Sequence, residues 1–391
     1  MTSLTPRRAV APVARLWCSV FAGYLAFGGT LQTLPGWLRS QFDAGPATVG
    51  LAVGIAFVAT AICRPFAGRA GDAGRARGVV MTGGALIVCG AVGQWLAPHV
   101  TVLLLARLVM GAGEAALFSG ALPWALSSAP PDRQGRFAGW FGLSMWGGLA
   151  LGPIVASAVT LAGGENAAWL TIVALGLASF AVVVTGPVQM RHDPVAQVRS
   201  TARADLVARG ALLPGVMFCF AAYGYGAVSA VLLLYLTDAH LGGSHVGLAV
   251  FGAAFVVSRS VGSPLVDRFG GAAVAAVMLS IEAVGFALLV AAPTLVAALT
   301  GAALAGAGVS LIFPSAVWLA LERDRTAGAG ASAGTIAAFW DIGIFIAGIA
   351  SGLIAATIGY RVAFGAALAV VVAGLAVALV LWRQPSAGRA S

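Results

Sequence analysis

The stretch GRAGDAGRAR, residues 68–77, separates two long apolar runs and decides how the rest of the chain is interpreted. It holds three arginines and one aspartate among small residues, between the apolar runs 47–66 and 79–98. A helix needs about 20 apolar residues to cross a bilayer, and each run is that long. The stretch is therefore predicted to be a short polar loop between two membrane-spanning helices.

Apolar runs of this length continue in both directions from the loop. The whole composition agrees, because 60% of the 391 residues are hydrophobic and only 9% are charged, whereas soluble domains carry roughly 25% charged residues. A water-soluble enzyme of this size is thereby excluded. Twelve runs are candidate spans, numbered one to twelve in chain order: 14–38, 47–66, 79–98, 101–126, 138–161, 166–186, 212–238, 245–264, 273–292, 295–321, 332–357 and 362–382.

The basic residues, all 22 of them arginine, indicate the orientation of these spans. With the N-terminus inside, only Arg39 and Arg361 fall on the outer side, and Arg107 lies within span four. Cytoplasmic loops carry an excess of basic residues. We therefore predict a multi-pass protein of the cell membrane with both termini in the cytoplasm.

The longest polar interruption, 187–211, divides the spans into six plus six. It is predicted to be a cytoplasmic linker between a first bundle, residues 1–186, and a second bundle, residues 212–391. No other segment of the chain could hold a soluble domain.

The two halves match each other at an offset of 195 residues. Alanine and glycine matches mean little in this composition, but Arg64 and Asp72 also align with Arg259 and Asp267. Parallel repeats of six spans imply two bundles related by an axis along the membrane normal, with the substrate site between them.

The loop at 68–77 resembles the signature loop of the major facilitator superfamily: a glycine, an acid four residues later, then glycine and basic residues. Ala73 replaces an arginine usual in that pattern, and Ser263 replaces the first glycine of the second copy. The resemblance covers almost the whole chain. It implies an all-α membrane protein with twelve transmembrane helices in two pseudo-symmetric six-helix bundles, similar to the drug and metabolite:proton antiporters.

The resemblance also implies a conformational role for the signature loop and its second copy. Asp72 and Asp267, with Arg69, Arg75 and Arg268, would latch the inner face closed in one transport state and release it in the other. An aspartate at the start of a helix also meets the positive end of the helix dipole. The alternative is that these arginines only set orientation.

Arg107 and Glu114 are the charged residues of span four. An arginine within hydrocarbon is costly and is expected to face a polar cavity, and the family associates this position with proton coupling. The alternative is an arginine that snorkels to the outer interface. Glu114 lies two turns further on the same face, about 10.5 Å along the axis, and would be neutral unless hydrated or paired. Because a proton carrier needs this behaviour, Glu114 is predicted to take part in proton coupling or substrate contact.

Asp341 lies near the middle of span eleven. The resemblance places that span at the interface between the bundles, so Asp341 is predicted to carry a proton or meet a cationic ligand. Polar packing within the bundle is the alternative for both Glu114 and Asp341, and Glu282 in span nine is interpreted as structural.

Span five favours export. Gly139, Gly148, Gly152 and Pro153 reproduce the spacing of a motif associated with proton-exchanging exporters, although its last two glycines are replaced by other small residues. Small residues let another helix approach closely, and proline removes a backbone donor and bends the helix. A generic membrane helix rich in glycine and proline is the alternative.

Aromatic residues in spans one, seven and ten are candidates to line the substrate cavity, where they offer apolar area and cation–π faces. They are Tyr24, Phe27, Phe220, Tyr223, Tyr225, Phe313 and Trp318. The four histidines and four cysteines show no metal-binding spacing. A chain without lysine has no nucleotide-binding loop of the Gly-x-x-x-x-Gly-Lys type, so we expect no cofactor and no metal.

These features predict a proton-coupled secondary transporter that exports a small organic molecule, such as a drug or secondary metabolite, by alternating access. Its expected partners are its substrate, protons and the lipid bilayer, with no nucleic acid, and it is expected to be a monomer. One alternative is a proton-coupled importer of a sugar or organic anion. A membrane-embedded enzyme or lipid-moving protein is the other, but the sequence lacks a catalytic cluster.

Overall fold

The computed structural model describes residues 13–126, 134–185, 209–324 and 329–384, and these residues are almost entirely helical, without a β-strand among them. A kinked segment, Gly71–Arg75, in which Gly74 has φ 83°, joins α2 to α3, and a 3₁₀ turn, Arg209–Ala211, precedes α6. The helices are α1 Val13–Phe42, α2 Pro46–Ala70, α3 Ala76–Trp95, α4 Val100–Leu126, α5 Gln134–Val184, α6 Leu212–Asp238, α7 Gly247–Phe269, α8 Gly271–Ala291, α9 Leu295–Val309, α10 Ile312–Arg323, α11 Ala329–Thr357 and α12 Tyr360–Arg383.

The longest helix, α5, is two antiparallel legs joined at Gly164. This glycine has φ 79° and ψ −178°, a conformation that side-chain-bearing residues rarely adopt. In the first leg, Trp140 stacks on Trp17 near the start of α1. Past the glycine, Glu165 accepts a hydrogen bond from Ser40 at the end of α1, and further on Ser179 donates to the Ser19 carbonyl, back near the start of α1. The chain therefore reverses direction at a single residue.

The helices follow the predicted spans closely. Spans one to four form α1–α4, five and six form the two legs of α5, and seven to nine form α6–α8. Span ten is divided into α9 and α10, and spans eleven and twelve form α11 and α12. Ten helical segments of the described chain are long and apolar enough to cross a membrane. That number includes both legs of α5 as one segment and leaves out α1, which carries buried polar residues such as Thr30 and Gln32. Twelve separate crossings stay a prediction.

Because successive helices run in opposite directions, their connections lie at two opposite ends of the molecule, which differ in arginine content. The arginine-rich end is where α2 ends and α3 begins, and where Arg77 of α3 donates a hydrogen bond to the Val184 carbonyl of α5. The arginine-poor end is where α1 and α6 end, and where Arg361 of α12 donates to the Ala292 carbonyl after α8.

The predicted repeat is present in the packing. Gly111 of α4 lies so close to α2 that a Cβ there would overlap the carbonyl oxygen of Ala56. Gly306 of α9 approaches the carbonyl oxygen of Phe251 in α7 in the same way. Both members of the second pair lie 195 residues after the first. The repeat therefore holds in space as well as in sequence.

Two helix pairs pack with close backbone contact between the first-half helices, α1–α5, and the second-half helices, α6–α12. Between α2 and α11, a Cβ at Gly348 would come within 2.6 Å of the Gly50 carbonyl oxygen. Between α5 and α7, Gly252 packs directly against the Ala150 carbonyl. Most of the predicted linker, residues 187–211, lies outside the described residues, so the division into two domains remains a prediction.

Candidate functional site

Arg64, near the end of α2, binds carboxylates from both halves of the protein. Its Nε donates to Oδ2 of Asp341 in α11 at 2.6 Å, and its Nη2 lies 3.3 Å from Oδ1 of the same residue. The same Nη2 donates to Oε1 of Glu114 in α4 at 3.0 Å. Asp341 is fully buried, Glu114 is 2% exposed and Arg64 is 9% exposed. We call these three residues the carboxylate–arginine cluster.

The charges of this cluster do not balance. With both acids ionised, one guanidinium faces two carboxylates, and the cluster carries a net charge of −1. Glu114 Oε2 is buried without a hydrogen-bond partner in the described structure. An unpaired buried charge is costly, and two nearby carboxylates disfavour joint ionisation. The arrangement can therefore hold one proton, or a cationic group, beside Arg64.

Arg107 is fully buried in α4 but does not join the cluster. Its Nε donates to the Ala52 carbonyl at 2.9 Å and its Nη2 to the Val53 carbonyl at 3.3 Å, both in α2. The guanidinium lies 5.3 Å from the centre of the Phe27 ring. Arg107 thus neither snorkels to an interface nor pairs with Glu114. Its hydrogen bonds link α4 to α2.

The span-five glycines pack against α1. A Cβ at Gly148 would lie 2.7 Å from the Phe21 carbonyl oxygen, and one at Gly152 would lie 2.6 Å from that of Leu25. The expected close approach is thus present at these two positions. Pro153 is accommodated within the first leg of α5, and the surroundings of Gly139 lie outside the described structure.

The predicted latch stays a prediction, since no ion pair of its charged residues is found in the described part of the chain. Asp267 and Arg268 are exposed at the end of α7, and the Arg268 guanidinium lies 5.1 Å from the Phe269 ring centre. The ion pairs found among the described residues do not include Asp267. In the first copy, Arg69 and Arg75 are exposed, and the side chain of Asp72 lies outside the described part of the chain.

Aromatic side chains from both halves meet beside the carboxylate–arginine cluster. Trp146 of α5 is the centre of this group, which we call the aromatic cluster. The Trp146 ring centre lies 4.9 to 6.2 Å from four rings of the second half: Phe218, Phe255, Phe313 and Trp340. Tyr225 contacts Trp340 at 5.1 Å. Among the predicted cavity aromatics, Phe313 and Tyr225 belong to this group.

Other predicted cavity aromatics pack within one half. Phe27 lies edge-on to Phe57 of α2 at 5.5 Å, and Tyr24 lies edge-on to Phe118 of α4. Phe220 lies beside Gly374 of α12, Trp318 lies against Gly271 of α8, and Tyr223 is buried in α6. Phe27, Phe220 and Trp318 thus have contacts within their own half, and their cavity-lining role stays a prediction.

An apolar pocket of about 10 Å³ lies between α5, α6, α7 and α11. Ligand pockets usually measure about 300–1,000 Å³, so this one is closed to an organic ligand in this conformation. Its walls include Trp146, Pro153, Tyr225, Phe255 and Trp340.

The halves are also joined at the arginine-poor end. Arg39 of α1 forms an ion pair with Asp238 of α6, and Tyr360 of α12 donates a hydrogen bond to the same carboxylate at 2.5 Å. Nearby, Gln32 Nε2 donates to the His245 carbonyl at 2.9 Å.

A two-part bundle built on parallel repeats, with a charged cluster between its halves, agrees with comparisons to known proteins. The family model described as Major Facilitator Superfamily matches residues 16–347. The chain belongs to the Major Facilitator Superfamily.

Relatives in the superfamily match over nearly the full length. An uncharacterized MFS-type transporter of Salmonella typhimurium is 29% identical over 98% of this chain and all of its own length. One of Burkholderia pseudomallei is 29% identical over 97% of this chain and 95% of its own. Crystal structures of the nucleoside transporter NupG, one of them a mutant, superpose with TM-scores of 0.69 and 0.73 over 95% of this chain, at 15% and 14% identity. At that identity the likeness shows the fold alone.

Superfamily membership makes the chain a multi-pass membrane transporter of a small molecule rather than an enzyme, and it implies a monomer. Two members of the central cluster, Glu114 and Asp341, were predicted from the sequence. Arg64 was not, although it appears in the alignment of the two halves. The signal was present, because Arg64 falls inside the predicted span 47–66, as Arg107 falls inside span four. Trp146 and Trp340 were also missed, since nothing in the sequence separates them from packing tryptophans.

Proposed function

We propose that this transporter exports a small organic molecule, such as a drug or secondary metabolite, in exchange for protons. The observation that carries the proposal is the carboxylate–arginine cluster, in which one buried arginine holds acids from both halves of the protein. Alternating access requires contacts between the halves to form and break, and this contact depends on ionisation.

Protonation changes the contact between α2 and α11 directly. The Arg64–Asp341 pair is buried, and opposite charges attract strongly at low dielectric only while both are ionised. A proton on Asp341 removes that attraction, so Arg64 then pairs only with Glu114, which belongs to the same half. The halves can then separate at this point. A substrate shifts the same equilibrium only through different affinity for the two states.

The other predicted residues take supporting roles in this proposal. Arg107 keeps α2 and α4 together, so that Arg64 and Glu114 move as one unit. Asp72 and Asp267, with Arg69, Arg75 and Arg268, form the latch of the state that closes the arginine-rich end. We place that end in the cytoplasm of a cell-membrane protein, following the distribution of arginine. The Arg39–Asp238 contact then closes the outer end.

Export is favoured over import by the close packing of Gly148 and Gly152 against α1, which is the packing expected of an exporter motif. The alternative is a proton-coupled importer of a sugar or organic anion, and the fold likeness to a nucleoside transporter lends it some support. Whole cells distinguish the two, because an importer increases accumulation of its substrate whereas an exporter decreases it.

The test uses an efflux-deficient bacterial host that overexpresses the protein and is screened against toxic compounds and antibiotics. Resistance should appear for at least one compound and should vanish when a proton uncoupler is added. Asp341→Asn should abolish that resistance while the protein remains folded and in the membrane. Asp43→Asn, a change of an exposed aspartate without an ion pair in the described structure, is the matched control. An Asp341→Asn protein that still pumps against a gradient would rule out this mechanism.

A further inference from the structure

Arg259 of α7 is the repeat counterpart of Arg64, and it is equally buried, at 9% exposure. Its Nη1 donates to the Ser310 carbonyl at 2.7 Å, and its guanidinium lies 5.9 Å from the centre of a Trp146 ring. The ion pairs found within the described ranges do not include Arg259. One buried arginine of the repeat therefore has two carboxylates, and the other has a backbone carbonyl and an aromatic face.

The repeat shows what Arg259 lacks. At the offset of 195 residues, Trp146 occupies the position of Asp341, and Val309 occupies the position of Glu114. Both acids that neutralise Arg64 are thus replaced by apolar residues at Arg259. A buried cation without a counter-charge is costly, and an arginine that lacks a carboxylate retains unused donors on its planar fork.

The apolar pocket lies next to this guanidinium. Trp146 lines the pocket and also presents a ring to Arg259. Phe255, another wall residue, lies one turn before Arg259 on α7 and therefore on the same face of the helix. A ligand in the pocket would have aromatic walls around its body and a positive charge at one edge.

We propose that Arg259 binds the anionic group of the transported molecule, and that the substrate is a small organic carboxylate with an apolar, preferably aromatic, body. The carboxylate would supply the counter-charge that the second repeat lacks, in the geometry that arginine forms with carboxylates. The body would lie between Trp146, Tyr225 and Trp340 in the transport state in which the pocket lined by these residues has opened. This inference concerns the substrate of the proposed transporter and rests on that function.

The experiment measures binding to the purified full-length protein in nanodiscs of phosphatidylcholine alone, so that no anionic lipid headgroup competes. Three probes share one aromatic body and differ in charge: 1-naphthoate, the neutral 1-naphthamide and the cationic 1-naphthylmethylamine. Calorimetric titration should show the tightest binding for naphthoate. Adding anionic phosphatidylglycerol should leave its affinity unchanged if the site serves a soluble anion, and a loss of affinity would assign the site to a lipid headgroup and overturn the proposal.

Variants assign the binding to one residue. Arg259→Gln should weaken naphthoate binding by about 10-fold or more, as expected for losing a charged hydrogen-bond donor, and should leave naphthamide binding unchanged. Arg259→Lys, which keeps the charge, should retain part of the affinity and covers the case in which the glutamine variant does not fold. Arg383→Gln, at an exposed arginine in α12, should bind like the wild type.

Three further outcomes would overturn the inference: tighter binding of the cationic probe, equal naphthoate binding to wild type and Arg259→Gln, or binding of none of the probes to the wild type. Binding needs no proton gradient, so this result is independent of the Asp341→Asn efflux test. Naphthoate binding without proton-driven transport would keep the anion site and reject the proposed coupling. Proton-driven efflux without a preference for anions would keep the proposed coupling and reject the anion site.

Discussion

Arg64 of α2 and Arg259 of α7 occupy equivalent positions in the two repeats, yet only Arg64 is bound by carboxylates. The two closely packed helix pairs between the halves, α2–α11 and α5–α7, are therefore chemically different. The α2–α11 pair contains an ion pair, whereas the α5–α7 pair has a tryptophan at the matching position. A change of pH can act on the first pair through Asp341, and the second pair has no carboxylate there to titrate.

Replacing Arg64 by glutamine should destabilise the protein strongly. The change leaves two buried carboxylates without a cation, and removing one partner of a buried ion pair typically costs about 3–5 kcal/mol. The loss should be smaller at low pH, since protonation removes the uncompensated charges. Thermal unfolding in detergent as a function of pH measures both effects.

Two further variants test this interpretation of Arg64. Arg15→Gln removes an exposed arginine of α1 and should unfold like the wild type at every pH. The double variant Arg64→Gln with Asp341→Asn should regain part of the lost stability, because one buried negative charge is gone. If Arg64→Gln alone unfolds at the wild-type temperature, the cluster is not a stabilising contact.

The repeat-related glycines Gly111 and Gly306 should tolerate substitution equally badly. A Cβ at either position would overlap a carbonyl oxygen of the neighbouring helix, at Ala56 or Phe251. Overpacking of this kind costs about 1–3 kcal/mol, so each change to alanine should lower the unfolding temperature by a similar amount.

Each half supplies its own control for the glycine variants. Gly78 and Gly334 lie in helices, and a Cβ there would meet nothing within 4 Å. Alanine at these positions should leave stability unchanged or raise it, since alanine is the better helix former. Tolerance of alanine at only one of Gly111 and Gly306 would show that the two halves are packed differently.

The contact between Arg39 and Asp238 should bias the conformation only modestly. Their side chains are 42% and 33% exposed, and ion pairs this accessible contribute about 0–1 kcal/mol. Asp238→Asn should therefore shift the equilibrium toward opening at the arginine-poor end by about five-fold at most. Spin labels at Gln41 and Ala239, in a background without the four native cysteines, would report the distance distribution.

A charge swap gives the control for that distance measurement. Arg39→Asp alone should open this end, and adding Asp238→Arg should restore the original distribution. If the single and double variants give the same distribution, the ion pair does not hold the two halves together.

The architecture was largely predictable because the pattern that encodes it is long-range and repetitive. Apolar runs of about 20 residues can do little except span a bilayer, and the Arg64–Arg259 alignment revealed the repeat. The sequence did not indicate that α5 reverses at the single residue Gly164, because a glycine that adopts positive φ cannot be told from the others among the 53 glycines.

The site was only partly predictable for a related reason. A charge inside an apolar run, such as Glu114 or Asp341, is conspicuous in sequence because it is costly in a membrane. Which charge meets which partner depends on the angle between helices, and that angle is set by side chains spread over the whole interface. Arg107 is an example. The energetic cost of a charge in a membrane made it conspicuous in the sequence, but the sequence did not indicate that its partners are backbone carbonyls of α2.

The close backbone contact between Gly50 and Gly348 can serve as a pivot point for α2. Arg64 lies 14 residues beyond Gly50 on α2, which is about 21 Å along a helix axis. If α2 pivots where the two backbones touch, a tilt of roughly 10° moves that distant point sideways by about 3.6 Å at this arm length. A displacement of this size is enough to separate Arg64 from Asp341, while the contact between Gly50 and Gly348 is almost unchanged.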